Sequence, residues 1–185
     1  ATNSAGSATA VSAATGRIEA AQIGFIGPSF VGVGDSGPTG SKPQSKLWWN
    51  DGFWWASMWA TASGSYHIFR LELFTQMWVD TGTEIDGRPG TRADALWDGT
   101  HLYLASHVFA TCGCSTPQFG NPSRLYRYSY DAVANRYIVD TGFPVAINDT
   151  RSETLVIDKD STGALWATWA QDNRVYMNRT LGDDR

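Results

Sequence analysis

The chain is poor in cysteine, with only Cys112 and Cys114 among 185 residues, which excludes a fold stapled by a disulfide framework. It has no basic cluster and a formal net charge of −4. Nucleic-acid binding needs a concentrated positive face, so no nucleic-acid partner is expected. No apolar run approaches the roughly 20 residues that span a bilayer as a helix, so no membrane span is expected either. No motif for a cofactor is present. Lys, Glu and Leu are sparse. In their place stand nine Trp, seven Tyr and eight Phe, a mixture that favours strands over helices. A soluble, all-β chain with one substantial core follows from these bounds.

What the chain does contain is a phrase spoken twice and begun a third time. Leu47-Trp48-Trp49-Asn50-Asp51-Gly52 leads to Phe69-Arg70-Leu71 and then to Trp78-Val79-Asp80-Thr81-Gly82. Leu96-Trp97-Asp98-Gly99 leads to Tyr126-Arg127-Tyr128 and then to Ile138-Val139-Asp140-Thr141-Gly142. A third round runs through Val156-Ile157-Asp158 and Leu165-Trp166-Ala167 to Val175-Tyr176-Met177. Short strands recurring at a period of roughly 50–60 residues predict a β-propeller or a related array.

Each round reads as a blade of four antiparallel strands. The first blade occupies 45–82, with strands Ser45–Trp49, Phe53–Trp59, Tyr66–Leu73 and Gln76–Asp80. The second occupies 93–142, with strands Ala93–Trp97, His101–Ser106, Arg124–Tyr130 and Arg136–Asp140. The third, at 153–180, is incomplete, with Glu153–Ile157, Ala164–Trp169 and Arg174–Arg179. Asp51-Gly52 and Asp98-Gly99 are hairpin signals, because glycine accepts the positive φ of primed turns. Two further strand-like pieces, Ile18–Ile26 and Ser29–Gly34, lie in the preceding stretch 17–44. Three blades are fewer than a closed propeller has, so the expectation is part of a larger ring, completed by sequence outside this chain or by another copy of it.

Residues 1–16 form a Ser/Ala/Thr/Gly-rich tract of the kind that links exported domains. The chain begins at Ala1 with no signal-like segment, which reads as a removed leader or an excerpt of a longer protein. Asn148-Asp149-Thr150 and Asn178-Arg179-Thr180 are glycosylation-type triplets short enough to arise by chance. An extracellular or cell-surface setting is the expectation.

The strand order places Ala60–Ser65, Thr81–Arg92, His107–Ser123 and Thr141–Ser152 as loops at one end of the blades, and only tight turns at the other. Long, varied loops on a rigid scaffold are where binding concentrates. Asp86, Arg88, Arg92 and Asp94 gather there near the blade axis, and Arg151 arrives at the equivalent place one blade later. Converging arginines hold carboxylates by forked hydrogen bonds, although Asp86–Arg88 and Arg92–Asp94 also suit local pairing. Trp78, Trp97 and Trp166 recur as inter-blade packing. The run Trp48-Trp49 and Trp54-Trp55 must place aromatics on both sheet faces, which makes Trp49 and Trp55 candidates for a ligand groove.

His101, His107, Cys112 and Cys114 carry metal-ligand chemistry. Their spacing matches no common structural zinc site, so a loop staple or free thiols is the expectation and no metal is assigned. Gly34-Asp35-Ser36-Gly37-Pro38 has the look of a protease nucleophile segment, but all three histidines follow it, and a Gly/Pro-rich turn accounts for it.

The segment Asp158-Lys159-Asp160-Ser161-Thr162-Gly163-Ala164-Leu165-Trp166 resembles the Asp-box turn of sialidase-like propellers, with Ser161 following Asp160 where the family's serine precedes its aspartate. Together with the Leu-Trp-x-Asp-Gly and Trp-Val-Asp-Thr-Gly pieces, it makes residues 41–180 similar to bacterial secreted propeller proteins of unassigned activity. The resemblance implies fold. For function it offers Arg88, Arg92 and Arg151 as the carboxylate-binding arginines of a sialidase, with no Tyr–Glu nucleophile pair to accompany them, and Arg17-Ile18-Glu19 lacks the proline of the family's opening. The preferred expectation is a non-catalytic extracellular module that binds a glycan or protein partner or acts as a scaffold. A sialidase-type glycoside hydrolase and a self-assembling structural subunit are the alternatives.

Overall fold

The computed structural model describes residues 42–113 and 116–181, together with two short paired strands, β1 (Thr2–Asn3) and β2 (Gly6–Ser7). Ile18–Ile26, Ser29–Gly34 and the Gly34–Pro38 turn lie outside the described residues. The described residues contain strands and turns and no helix.

Three antiparallel sheets carry the three rounds of the repeat. The first has the order β3 (Leu47–Asn50), β4 (Phe53–Ala60), β5 (Ser65–Glu72), β6 (Met77–Asp86). The second joins β7 (Thr91–Trp97), β8 (His101–Val108), β9 (Phe119–Asp131) and β10 (Arg136–Val139), and β11 (Val145–Thr150) also pairs with β9. The third is β12 (Leu155–Lys159), β13 (Leu165–Gln171) and β14 (Arg174–Arg179). Among the described residues the sheets do not close into a ring or barrel.

Local chemistry accounts for the hairpins. Asp51 and Gly52 both have positive φ, 51° and 77°, the primed turn whose twist suits two antiparallel strands. It pairs Asn50 with Phe53, and hence Trp49 with Trp54 and Trp48 with Trp55. Turns at Asp98 and Asp160 are pinned by their own carboxylates. Asp98 accepts the N–H groups of Thr100 and His101. Asp160 accepts those of Thr162 and Ala164 as well as the indole N–H of Trp166 at 2.8 Å.

The sheets stack face to face. Between the first and second lie Trp48, Trp55, Tyr66, Ile68, Ala93, Ala95, Leu102, Leu104, Tyr126, Tyr128 and Tyr137, with Trp97 packed against them. Trp55 and Tyr137 meet edge to face at 5.0 Å, and Tyr137 accepts the indole N–H of Trp48 at 2.9 Å. Between the second and third lie Tyr103, Ala105, Leu125, Ile147, Leu155, Leu165, Ala167 and Trp169. The two-residue period of strands produces this division, since alternate residues of β7 and β8 serve opposite interfaces.

The outward faces at the two ends of the stack have no covering sheet among the described residues. Trp78 packs on the outward side of the first sheet with Met58 and Phe69. Trp166 lies on the outward side of the third, with Arg179 5.5 Å from its ring. Of the three tryptophans expected between sheets, only Trp97 lies between described ones.

Two expected loops are corrected. Thr81–Arg92 is mostly strand: β6 continues past a register shift at Gly82, where φ is 74°, and stays paired with β5 as far as Asp86. Within Thr141–Ser152, the chain leaves β9 at Gly142, passes a cis Phe143-Pro144 bond and returns to β9 as β11. At Asp-Thr-Gly the fourth strand of the first sheet shifts register within one continuous strand, and that of the second is broken into two pieces. The backbone polar groups of these stretches are satisfied by the ladder and do not need solvent.

Candidate functional site

The first strands of the three sheets, β3, β7 and β12, lie side by side, and one carboxylate ties them together. Asp94 in β7 is buried, at 4% exposure. It accepts the N–H of Ser45, just before β3, at 2.5 Å, and that of Ile157 in β12 at 2.9 Å. The Ala95 N–H donates back to the Ser45 carbonyl at 3.0 Å. Burial raises the pKa of Asp94, and the two backbone donors and Lys46 oppose the rise.

Around this carboxylate sits a compact polar cluster. The Gln44 amide donates to the Leu155 carbonyl at 2.8 Å and lies 3.0 Å from His107 Nε2, while its oxygen accepts from Lys46 Nζ at 3.2 Å. His107, fully buried, is 2.8 Å from the Ser152 carbonyl through Nδ1. A carbonyl can only accept, so the proton sits on Nδ1 and Nε2 accepts from Gln44. Lys46 Nζ also donates to the Ala93 carbonyl. Burial pulls the Lys46 ammonium down to about 8, with Asp94 opposing and Arg92 adding to the fall. Arg92 stacks its guanidinium 3.7 Å above the Phe109 ring, and burial lowers its pKa.

Burial lowers the His107 pKa to about 4, with Lys46 and Arg92 adding to the effect and the Ser152 carbonyl opposing it. An exposed histidine in the unfolded chain takes its proton near pH 6.5. Between these values the unfolded state binds the extra proton, so stability falls as pH drops from about 6.5 to about 4 and levels off below. This group is expected to account for about 3 kcal/mol of that loss. Urea unfolding at pH 7 and pH 4.5 measures it, and His107→Gln is expected to flatten the difference.

Asp86 and Arg88 form a separate unit at the top of the interface between the first two sheets. Arg88 Nε and Nη2 reach the Asp86 carboxylate at 2.9 and 2.6 Å, Ser106 Oγ donates to it at 2.8 Å, and Arg88 Nη1 reaches the Pro122 carbonyl at 2.7 Å. Burial works against the Asp86 charge, but the hydrogen bonds from Arg88 and Ser106 outweigh it and hold the pKa below the usual range. Arg88 is thus engaged within the chain. Arg151 is half-buried, and its Nε has no hydrogen-bond partner among the described residues. No hydrogen bond or ion pair joins the Arg151 side chain to the axial cluster among the described residues.

The aromatic candidates divide by face. Trp55 is fully buried and is corrected from groove to core, because its register with Trp48 turns it toward the second sheet. Trp49, 47% exposed, lies outward, and its exposed neighbour is Trp54, 5.4 Å away in an edge-to-face pair. The metal candidates do not assemble. His101 lies 4.0 Å from Asp140 at the tight-turn end of β8, His107 is held by Gln44 and Ser152, and Cys112 is in a disulfide. Cys114 lies outside the described residues, among which no group of His, Cys, Asp and Glu could hold a metal ion. A crevice of 190 Å³ between the second and third sheets is lined by Leu125, Val145, Ile147, Leu165 and Ala167, among others, and none of the axial polar side chains faces it.

Gln44 and Lys46 were missed by sequence reasoning, since they precede the first strand and carry no motif. Only the packing of β3 against β7 brings them to the axis. Comparison with known protein families, curated proteins and solved structures finds no match.

Proposed function

We propose that the three sheets are blades of a β-propeller-type scaffold, and that the axial cluster binds a carboxylate-bearing glycan or protein partner without turning it over. The observation that carries this reading is the half-buried Lys46, whose ammonium burial and Arg92 both disfavour and only Asp94 favours, while the oxygens of Asp94 are already committed to backbone donors. Each cation is held partly out of water, and Arg92 adds to the cost of charging Lys46. An anionic group arriving between them relieves that repulsion and gains charge-assisted hydrogen bonds. The side-by-side first strands and the carboxylate-pinned turn at Asp160 support the propeller reading. The disulfide at Cys112 suits an oxidising, extracellular setting. Arg88 is already neutralised by Asp86, and this weighs against a sialidase-type arginine triad.

Calorimetric titration with oligosaccharides ending in sialic or uronic acid, and with their neutral counterparts, tests the proposal. Acidic ligands are expected to bind with an affinity that falls as salt is added, and Arg92→Gln to weaken them by at least about tenfold. Trp49→Ala is expected to leave binding unchanged. Equal binding of neutral ligands, or none of either, overturns the reading.

A further inference from the structure

The outward face of the first sheet carries a second polar group, remote in chemistry from the axial cluster. The turn between β4 and β5 closes with the Gly64 N–H donating to the Ala60 carbonyl at 2.9 Å, and Gly64 has a φ of 71°. This brings Ser63 over the start of β5, where alternation sets Ser65 and His67 on one face. Ser63 Oγ lies 3.0 Å from His67 Nε2, and Ser65 Oγ lies 3.1 Å from the same nitrogen. Across the ring, His67 Nδ1 is 3.0 and 2.9 Å from the two oxygens of Asp80. Asp80 is itself steadied by the Gly82 N–H at 2.8 Å.

Register explains why Asp80 is available. It stands opposite Phe69 in the β5–β6 ladder, on the outward face with His67. Its counterpart in the second Asp-Thr-Gly, Asp140, instead donates its N–H to the Arg127 carbonyl and turns its carboxylate to Arg127 and Ser129. A carboxylate accepts only, so the His67 proton sits on Nδ1 and the lone pair of Nε2 faces the two serines. Ser65 is buried and Ser63 is exposed, so a substrate meets Ser63. The turn is closed by its backbone bond and the β4–β5 ladder, and Ser63 Oγ adds a bond to the same Ala60 carbonyl at 3.3 Å and lies 3.0 Å from Ser65 Oγ, neither of which involves His67 or Asp80.

We propose that Ser63, His67 and Asp80 form an acyl-transfer site that hydrolyses small esters, with Ser63 as nucleophile, His67 as base and Asp80 as the group that orients the imidazole. Ser63 Oγ attacks the ester carbonyl carbon and its proton passes to His67 Nε2. The carbon–alkoxy bond breaks, and the leaving alcohol takes that proton. Water then attacks the acyl-serine and gives a proton to Nε2. The carbon–Oγ bond breaks, Oγ recovers the proton, and a carboxylic acid leaves. The net change is ester plus water to acid plus alcohol. The acyl group is short, because Met58 and Ala60, the apolar neighbours on this face, are themselves buried and leave no deep slot.

The test treats the full chain with a fluorophosphonate probe, maps the label by mass spectrometry, and follows hydrolysis of p-nitrophenyl acetate. The label is expected on Ser63, with hydrolysis above the buffer rate. Ser63→Ala, which removes the hydroxyl and its contacts to Ala60, Ser65 and His67, is expected to abolish both while the melting temperature falls by no more than in Ser65→Ala. Asp80→Asn is expected to slow both by about a hundredfold, and Ser65→Ala to retain both. An unlabelled native chain, a label elsewhere, or hydrolysis that survives in Ser63→Ala overturns the proposal.

Discussion

Asp94→Ala is expected to lower the melting temperature by about 10 °C, from a loss of about 3–4 kcal/mol at roughly 2–4 °C per kcal/mol for a chain of this size. Two part-buried N–H groups, of Ser45 and Ile157, lose their acceptor, and each orphaned donor costs about 1–3 kcal/mol. Lys46 loses the charge that opposes its desolvation. Asp94→Asn keeps one acceptor oxygen and is expected to lose about half as much. Because the three donors and acceptors belong to three sheets, the damage falls on the joint between them and not on any one hairpin. Calorimetric melting of the two variants beside the native chain reads the difference. A drop under about 2 °C for Asp94→Ala contradicts the role given to this carboxylate.

The second large effect is expected at Trp55. Its ring is fully enclosed, edge to face with Phe53, Tyr130 and Tyr137 at 5.0–6.3 Å. Truncation removes the aromatic contacts and leaves a cavity that flanking strands cannot fill, a loss of about 3–5 kcal/mol. Its neighbour Trp54, 42% exposed on the outward face, gives the contrast: Trp54→Ala is expected to cost less than about 1 kcal/mol. Urea unfolding of both variants measures the gap, and equal losses contradict the assignment of faces.

The hairpins were legible in the sequence because their signals are local. Asp51-Gly52 and Asp98-Gly99 need only positive φ, and the strands flanking them fall within a few residues of their expected bounds. Which face each tryptophan takes was not legible. The run Trp48, Trp49, Trp54, Trp55 reads alike from either side, and only the arrival of Tyr137 and Tyr130 from another sheet marks Trp55 as interior. The return to the ladder was equally hidden, since Thr81-Gly82, a register shift, and Thr141-Gly142, a break, both carry the composition of loops.

The candidate sites show the same limit. The pairing of Asp86 with Arg88 was read from spacing and forms, whereas Asp94, expected as a ligand-binding residue or a local partner of Arg92, accepts the backbone N–H groups of Ser45 and Ile157. Gln44 and Lys46 were not, because their contacts span 47 to 111 residues of chain. The two Asp-Thr-Gly copies look interchangeable as letters, yet a difference in pairing turns one aspartate toward His67 and the other toward Arg127.

All the tight turns at 51–52, 73–76, 98–100, 132–135 and 160–163 project from one end of the stack, away from Lys46 and Arg92. Phe74 and Val133 at their tips are almost wholly solvated. That end is a natural handle: a tether or bulky tag fused there would leave the end that carries Lys46 and Arg92 facing outward, so the molecule can be anchored on a sensor surface in a single orientation.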